Sequence, residues 1–232
     1  MKLKTILSML YISYASSFSF SHINFNKHKY NLKEVTNNEE DYKIIYPNNN
    51  FEEYNNNSNI IAPKLDVLFY GSVTDESCLQ LTNALNTLDK ISKKNSKSNY
   101  IEPISLHIQS YGGMLMPSFY VCDFIKNLDT PVHTYIDGYA ASAATLISVC
   151  GDKRYTTRFS KMLIHQLSTG YKGKALELQD GIENVNLFMD NIKTIYLENS
   201  YLDINTLNNL LSRDIWLNST KCLEYGLIDE II

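Results

Sequence analysis

An α/β domain built on a parallel sheet is what this sequence predicts, on three observations. Short apolar runs of strand length alternate with longer segments whose apolar residues recur every three or four positions. Glycines close several of the short runs. The 232 residues are 44% hydrophobic and 20% charged, which suits one globular domain plus some extra sequence. Strands that alternate with helices pair in parallel through βαβ crossovers.

In order, residues 65–70 are an apolar run ended by Gly71 and read as a buried strand. Residues 73–88 read as a helix, with Leu81, Ala84, Leu85 and Leu88 on its buried face. A polar loop is expected over 90–100 and a second strand over 104–108, closed by Ser110-Tyr111-Gly112-Gly113. A helix follows over 117–127, with Pro117 in the first turn, where a missing N–H costs nothing. The third strand, 131–136, is expected to break at Gly138, and the small apolar stretch 140–149 suits a helix buried on all sides. A fourth strand over 161–164, a long helix over 175–200 and a shorter one over 204–211 complete the pattern.

Charge narrows the classes of partner. Lys and Arg number 21 against 25 Asp and Glu, a net charge of -4, so there is no basic footprint for nucleic acid. Cys78, Cys122, Cys150 and Cys222 are too scattered for a metal site and too few for a disulfide framework, and read as reduced, mostly buried thiols. No run reaches the roughly 18 apolar residues of a membrane span, so no span is expected in the mature chain.

The N-terminal region reads as separate from the domain. Residues 1–17 have a basic start, Lys2 and Lys4, an apolar stretch, and the small pair Ala15 and Ser17, the pattern of a signal peptide. Residues 18–33 hold no acid and are rich in Ser, Asn, Lys and His, as in a transit peptide. Residues 48–59, NNNFEEYNNNSN, have too little apolar surface to offset the entropy of ordering them. The expected organisation is a leader over 1–17, a transit-like, Asn-rich linker over 18–59 and a folded domain over 60–232. A two-part leader with Phe18 after the cut resembles those of proteins imported into complex plastids. A plastid location is therefore expected, with a cytoplasmic or virus-encoded protein as the alternative. An N-terminal strand or amphipathic helix of the domain is the alternative reading of the leader itself.

Three places carry chemistry. In Gly138-Tyr139-Ala140-Ala141-Ser142-Ala143-Ala144 a hydroxyl stands among residues with almost no side chain, as a strand-to-helix turn presenting a nucleophile requires. The bland alternative is a helix Ser bonded to the preceding turn. In Leu163-Ile164-His165-Gln166 a His ends an apolar strand, where it suits a general base or a purely structural ring. In Ser212-Arg213-Asp214-Ile215-Trp216 an acid stands beside the only Trp, as an orienting carboxylate or as half of a surface pair.

Ser142, His165 and Asp214 follow one another at gaps of 23 and 49 residues. With the SYGG strand end, the G-x-A-A-S turn, the I-H-Q segment and the closing Glu224-Tyr225-Gly226-Leu227-Ile228-Asp229, residues 65–232 resemble the Clp protease proteolytic subunit family. The resemblance implies a Clp protease/crotonase-like fold with a protruding handle of a strand and a long helix. It implies a serine endopeptidase that cleaves unfolded polypeptides through an acyl-enzyme on Ser142, with His165 as base and Asp214 orienting the imidazole. Backbone N–H groups of Gly113 and Ala143 would form the oxyanion hole. Substrate would pair as a strand between Gly113, Met114 and Leu115 on one side and Leu167, Ser168 and Thr169 on the other. No metal or organic cofactor is implied, ATP being used only by a partner AAA+ unfoldase. Self or related Clp subunits in stacked, heptameric rings are the other implied partners. Ala143, Tyr111 and Leu167 replace a Met and two Pro of the family pattern, and Asn-rich sequence stands where the family has its gate and first helix. A silent ring-forming subunit is the alternative function, and a crotonase-like acyl-CoA enzyme on the same fold is a third.

Overall fold

Buried and half-exposed residues alternate along the central strands, so the sheet offers one apolar face to helices. In β5, Ile104–Ser110, the side chains of Ile104, Leu106 and Ile108 are buried while Ser105, His107 and Gln109 are half-exposed. The computed structural model describes residues 32–34, 42–43, 45–47, 65–95 and 101–232. The expected leader, the Asn-rich run and most of the expected linker lie outside these residues.

Three short strands come first, β1 (Leu32–Glu34), β2 (Tyr42–Lys43) and β3 (Ile45–Pro47). β4 (Asp66–Gly71) leads into α1 (Asp75–Asn95), and β5 into α2 (Leu115–Lys126). β6 (Val132–Ala141) leads into α3 (Ala143–Val149), and β7 (Lys153–Thr156) and β8 (Lys161–Leu163) follow. The chain ends with α4 (Ala175–Glu198), α5 (Ile204–Leu211), β9 (Trp216–Asn218), α6 (Ser219–Glu224) and β10 (Glu230–Ile231).

The main sheet runs β10-β7-β6-β5-β4-β2, with β8 on the second half of β6 and β9 on β8. Neighbours from β4 to β7, together with β7–β10 and β6–β8, are parallel, as the βαβ reading requires. β2 and β9 pair antiparallel at the edges. The pairing of Tyr42 with Gly71 joins part of the segment expected as linker to the sheet.

Helices α1, α2 and α3 cover one face, where Leu81, Leu85, Val121, Ile125 and Ile147 join Val67, Phe69, Ile104 and Ile136 in the core. The other face stays partly open. On it His107, Tyr135 and Tyr155 stack with ring centroids 4.7 Å apart. Asp137 there accepts from Tyr70 Oη at 2.6 Å and lies 2.9 Å from His107 Nδ1.

Several boundaries differ from the sequence reading. α1 runs on to Asn95 through part of the expected loop, because Ser92 is buried with its hydroxyl on Glu102 O at 2.7 Å and Lys93 pairs with Asp89 at 2.8 Å. Gly138 bends β6 instead of ending it. Its φ of 90° takes up the irregular register between Ile108 and Ser110, and β6 continues to Ala141 with a new neighbour, β8. α3 therefore starts at Ala143 and not at 140. Pro117 is the third residue of α2, still within the turn whose N–H groups lack helical acceptors. The expected handle strand is not formed: residues 164–174 carry no strand, and α4 alone represents the handle. β7 was not legible because Lys153 and Arg154 interrupt any apolar run.

All four cysteines are buried and none is in a disulfide. Burial pushes the Cys78 thiol up to about 11 and the Cys222 thiol up to about 12, which keeps both protonated and unreactive. Among the described residues, no helix is long and apolar enough to cross a membrane.

Candidate active site

Two glycines and one strained serine define the centre of the site. Ser142 links β6 to α3 with φ 54° and ψ -130°, and it is the one non-glycine at positive φ among the described residues. Such a turn lifts its side chain clear of both elements. Strain of this kind persists only where the surroundings hold it. Here the Ser142 N–H donates to Leu163 O at 2.9 Å, and the Ser142 carbonyl accepts from the Thr145 N–H at 2.9 Å.

Gly112 packs against that turn. A Cβ on Gly112 would stand 2.7 Å from Ser142 Cβ and 2.9 Å from Ala143 N, and the backbone there has φ 91°. Only glycine fits. Gly113 forms a parallel bridge with Val73, in which Val73 N–H donates to Gly112 O at 2.9 Å and Met114 N–H to Val73 O at 2.8 Å. That pattern uses the groups on either side of Gly113, so its own N–H faces away from Val73. Ala143 opens α3, where the N–H has no intrahelical acceptor.

Strand register brings the remaining pair together. β8 and β9 are antiparallel with Leu163 opposite Trp216, so two residues further along His165 meets Asp214. His165 Nδ1 lies 3.4 Å from Asp214 Oδ1, inside ion-pair range but longer than a good hydrogen bond. The His165 side chain is 24% exposed and that of Asp214 82%. A further tie holds the two loops in place, since Gln166 N–H donates to Leu211 O at 2.8 Å at the end of α5. β6 and β8 are parallel with Ala141 beside Leu163, which sets Ser142 and His165 at neighbouring strand ends. Among the described residues, no hydrogen bond joins the Ser142 hydroxyl to His165.

The two expected substrate-flanking segments face one cleft of about 230 Å³, whose lining includes Met114 and Leu115 on one side and Leu167 and Thr169 on the other. Ser168 is exposed beside it. Met114 is extended, with φ -69° and ψ 132°, but Leu115 already begins α2 and cannot extend a strand. The Leu167 N–H is given to Met189 Sδ at 3.2 Å, a weak acceptor.

Residues 50–232 match the Clp protease family model. The chain belongs to the Clp protease family. Relatives of this Clp chain include an ATP-dependent Clp protease proteolytic subunit from Paracoccus denitrificans, 30% identical over 174 residues, covering 74% of this chain and 83% of that protein. A proteolytic subunit 1 from Chlamydia abortus is 30% identical over 170 residues, covering 72% of this chain and 85% of its own length. A subunit 1 from Protochlamydia amoebophila is 31% identical over 135 residues, 56% of this chain and 66% of that one. A solved mutant of ClpP1 from Listeria monocytogenes superposes with TM-score 0.64 at 24% identity, over 73% of this chain and 91% of that one, which shows the Clp fold. This homology supports a Clp-type peptidase.

Two features of this Clp chain escaped the sequence reading. Tyr111 is exposed and packs its ring 4.3 Å from that of Tyr139 and edge-on to Trp216 at 6.4 Å, an aromatic group on the open face of β6, β8 and β9. Burial, and then the neighbouring Tyr111, push the Tyr139 hydroxyl upward. Three aromatic residues 28 and 77 positions apart, from Tyr111 to Tyr139 and from Tyr139 to Trp216, give no local signal. The second is a buried hydroxyl chain behind Ser142, in which Thr145 Oγ1 contacts both Ser142 O and Tyr196 Oη. Among the described residues, no group of three or more His, Cys, Asp or Glu could hold a metal ion.

Proposed function

We propose that this chain is a serine-type proteolytic subunit that cleaves unfolded polypeptides through an acyl-enzyme on Ser142. The observation that carries the reading is the register that sets His165 across from Asp214 at the strand end beside the positive-φ turn of Ser142. His165 takes the Ser142 proton as Oγ bonds to the scissile carbonyl carbon, while Asp214 holds the imidazole in the tautomer that leaves the outer nitrogen free. The carbonyl electron pair moves to oxygen, which accepts from the N–H groups of Gly113 and Ala143. Collapse breaks the C–N bond, His165 gives the proton to the departing amine, and water repeats the sequence to release the acid. No metal or organic cofactor takes part in these steps.

Assembly follows from surfaces a lone subunit leaves uncovered. A parallel sheet is ordinarily covered on both faces, and here Tyr135 and Tyr155 on one face are only half-buried. On the handle helix, Leu176, Ile182 and Leu187 are all more than half exposed. Both suit contacts with further Clp subunits in stacked, heptameric rings, fed by an AAA+ unfoldase that alone consumes ATP. A plastid location is proposed on the leader alone.

One observation favours the silent ring subunit as a second reading. The His165–Asp214 contact is long and the carboxylate is exposed, an arrangement that assembly would have to tighten. A fluorophosphonate probe separates the two. Labelling of the assembled protein that is lost in Ser142→Ala supports the peptidase, and an unlabelled assembled ring supports the silent subunit.

A further inference from the structure

Behind the Ser142 turn, two buried hydroxyls connect the handle helix to the nucleophile's own peptide. Thr145 Oγ1 lies 2.5 Å from Ser142 O and 2.6 Å from Tyr196 Oη. Thr145 is fully buried and Tyr196, on α4, is 2% exposed. A threonine hydroxyl has a single proton and a carbonyl oxygen can only accept. The Thr145 proton therefore goes to Ser142 O, and the direction of the chain is fixed: Tyr196 donates to Thr145, and Thr145 donates to Ser142. Burial pushes the Tyr196 hydroxyl well above its ordinary value, so it keeps the proton it donates.

The end point gives this chain a chemical consequence. Ser142 C=O and Ala143 N–H belong to one peptide group, and peptide resonance couples them. A carbonyl that accepts more strongly draws electrons from its nitrogen and makes the N–H a better donor, and hydrogen bonds in series strengthen one another in a low-dielectric interior. Ser142 O accepts from both the N–H and the hydroxyl of Thr145.

We propose that Tyr196 and Thr145 are positioning residues that polarise the Ser142–Ala143 peptide, strengthening the Ala143 N–H as an oxyanion donor and tying its strength to the handle helix. This rests on the acyl-enzyme reading above. The handle is the element whose exposed apolar residues suit subunit contacts, so a displacement of α4 on assembly would reach the oxyanion hole through two side chains, Tyr196 and Thr145.

The test uses the full chain in its assembled state, with Thr145→Val, Tyr196→Phe, their double variant, and Thr145→Ser, which keeps the hydroxyl. Turnover of a short fluorogenic peptide, inhibition by a peptide boronate and the melting temperature are measured for each. Removing a whole oxyanion donor costs about 10²–10³ in rate, so weakening one is expected to lower kcat by roughly tenfold. KM should stay within about twofold, boronate affinity should fall in parallel with kcat, and the double variant should be no worse than the weaker single one. Thr145→Ser should restore the rate whatever its melting temperature. Parent-like kcat in both Thr145→Val and Tyr196→Phe overturns the relay, as does an equal loss in Thr145→Ser or a change confined to KM. A parent ring that fluorophosphonate does not label overturns the acyl-enzyme reading itself, and so the two failures are distinct.

Discussion

Gly112 stands so close to Ser142 that a Cβ on the one would lie 2.7 Å from the Cβ of the other. The close approach holds the SYGG strand end against the Ser142 turn, and under the proposed mechanism it would bring the Gly113 and Ala143 N–H groups to one oxyanion. Gly112→Ala meets backbone as well as side chain, Ala141 O at 2.5 Å and Ala143 N at 2.9 Å, and must adopt φ 91°. The expected result is at least a ~100-fold loss of peptidase activity, comparable to removing an oxyanion donor. Strain of about 1–3 kcal/mol from the backbone angle alone should lower the melting temperature by roughly 2–12 °C, and the backbone contacts add to that. Parent-like kcat in this variant would mean the contact is not part of the active state.

Asp214→Asn tests the orienting role with little change of shape. An amide in place of the carboxylate favours the wrong imidazole tautomer and cannot stabilise the charge that His165 gains. Because Asp214 is 82% exposed and 3.4 Å from its partner, the loss should be on the order of 10²-fold in kcat, below the ~10⁴ of a tightly buried triad. KM should be unchanged. A loss below threefold would reduce Asp214 to a surface acid beside Trp216.

How much of this site could be read from sequence depends on whether each relation is local. Ser142 was legible because its turn needs small neighbours within a few residues, and His165 because it ends an apolar strand. The meeting of His165 with Asp214 was expected from the family resemblance alone and not from any local pattern, since it depends on β9, three residues whose exposed Trp216 and Asn218 give no apolar run. β7 failed for the same reason. The end of β6 was misplaced because Gly138 is an ordinary strand breaker, and only the parallel partner β8 shows that the strand resumes. The Thr145–Tyr196 bond spans 51 residues between two helices, beyond any periodicity argument.

The expected leader lies outside the described residues, and its test is independent of the fold. If residues 1–17 are removed on targeting, N-terminal sequencing of the protein from its native source should find a chain that starts at Phe18 or later. Met1 or Lys2 at the mature N-terminus would exclude cleavage and the plastid route together.

Acid sensitivity should trace to a pair 75 residues apart in sequence. Arg154 on β7 donates to both oxygens of Asp229, Nη2 to Oδ1 at 2.6 Å and Nε to Oδ2 at 3.0 Å, while the Arg154 N–H donates to Oδ2 at 2.8 Å and the Asp229 N–H to Arg154 O at 2.7 Å, docking β10 beside β7. The guanidinium beside it holds the Asp229 carboxyl below its ordinary value, against an opposing effect of burial. An acid whose folded value is depressed stabilises the fold above the unfolded value of about 3.9 and loses that contribution as pH falls through the folded value. The parent's melting temperature should therefore drop steeply below about pH 4. Arg154→Gln should melt lower at pH 7 and lose less on acidification, so the two curves converge towards pH 2. Both would be followed by thermal denaturation across the same buffers. A gap between parent and variant that stays constant from pH 7 to pH 2 would show that Arg154 contributes packing and not charge.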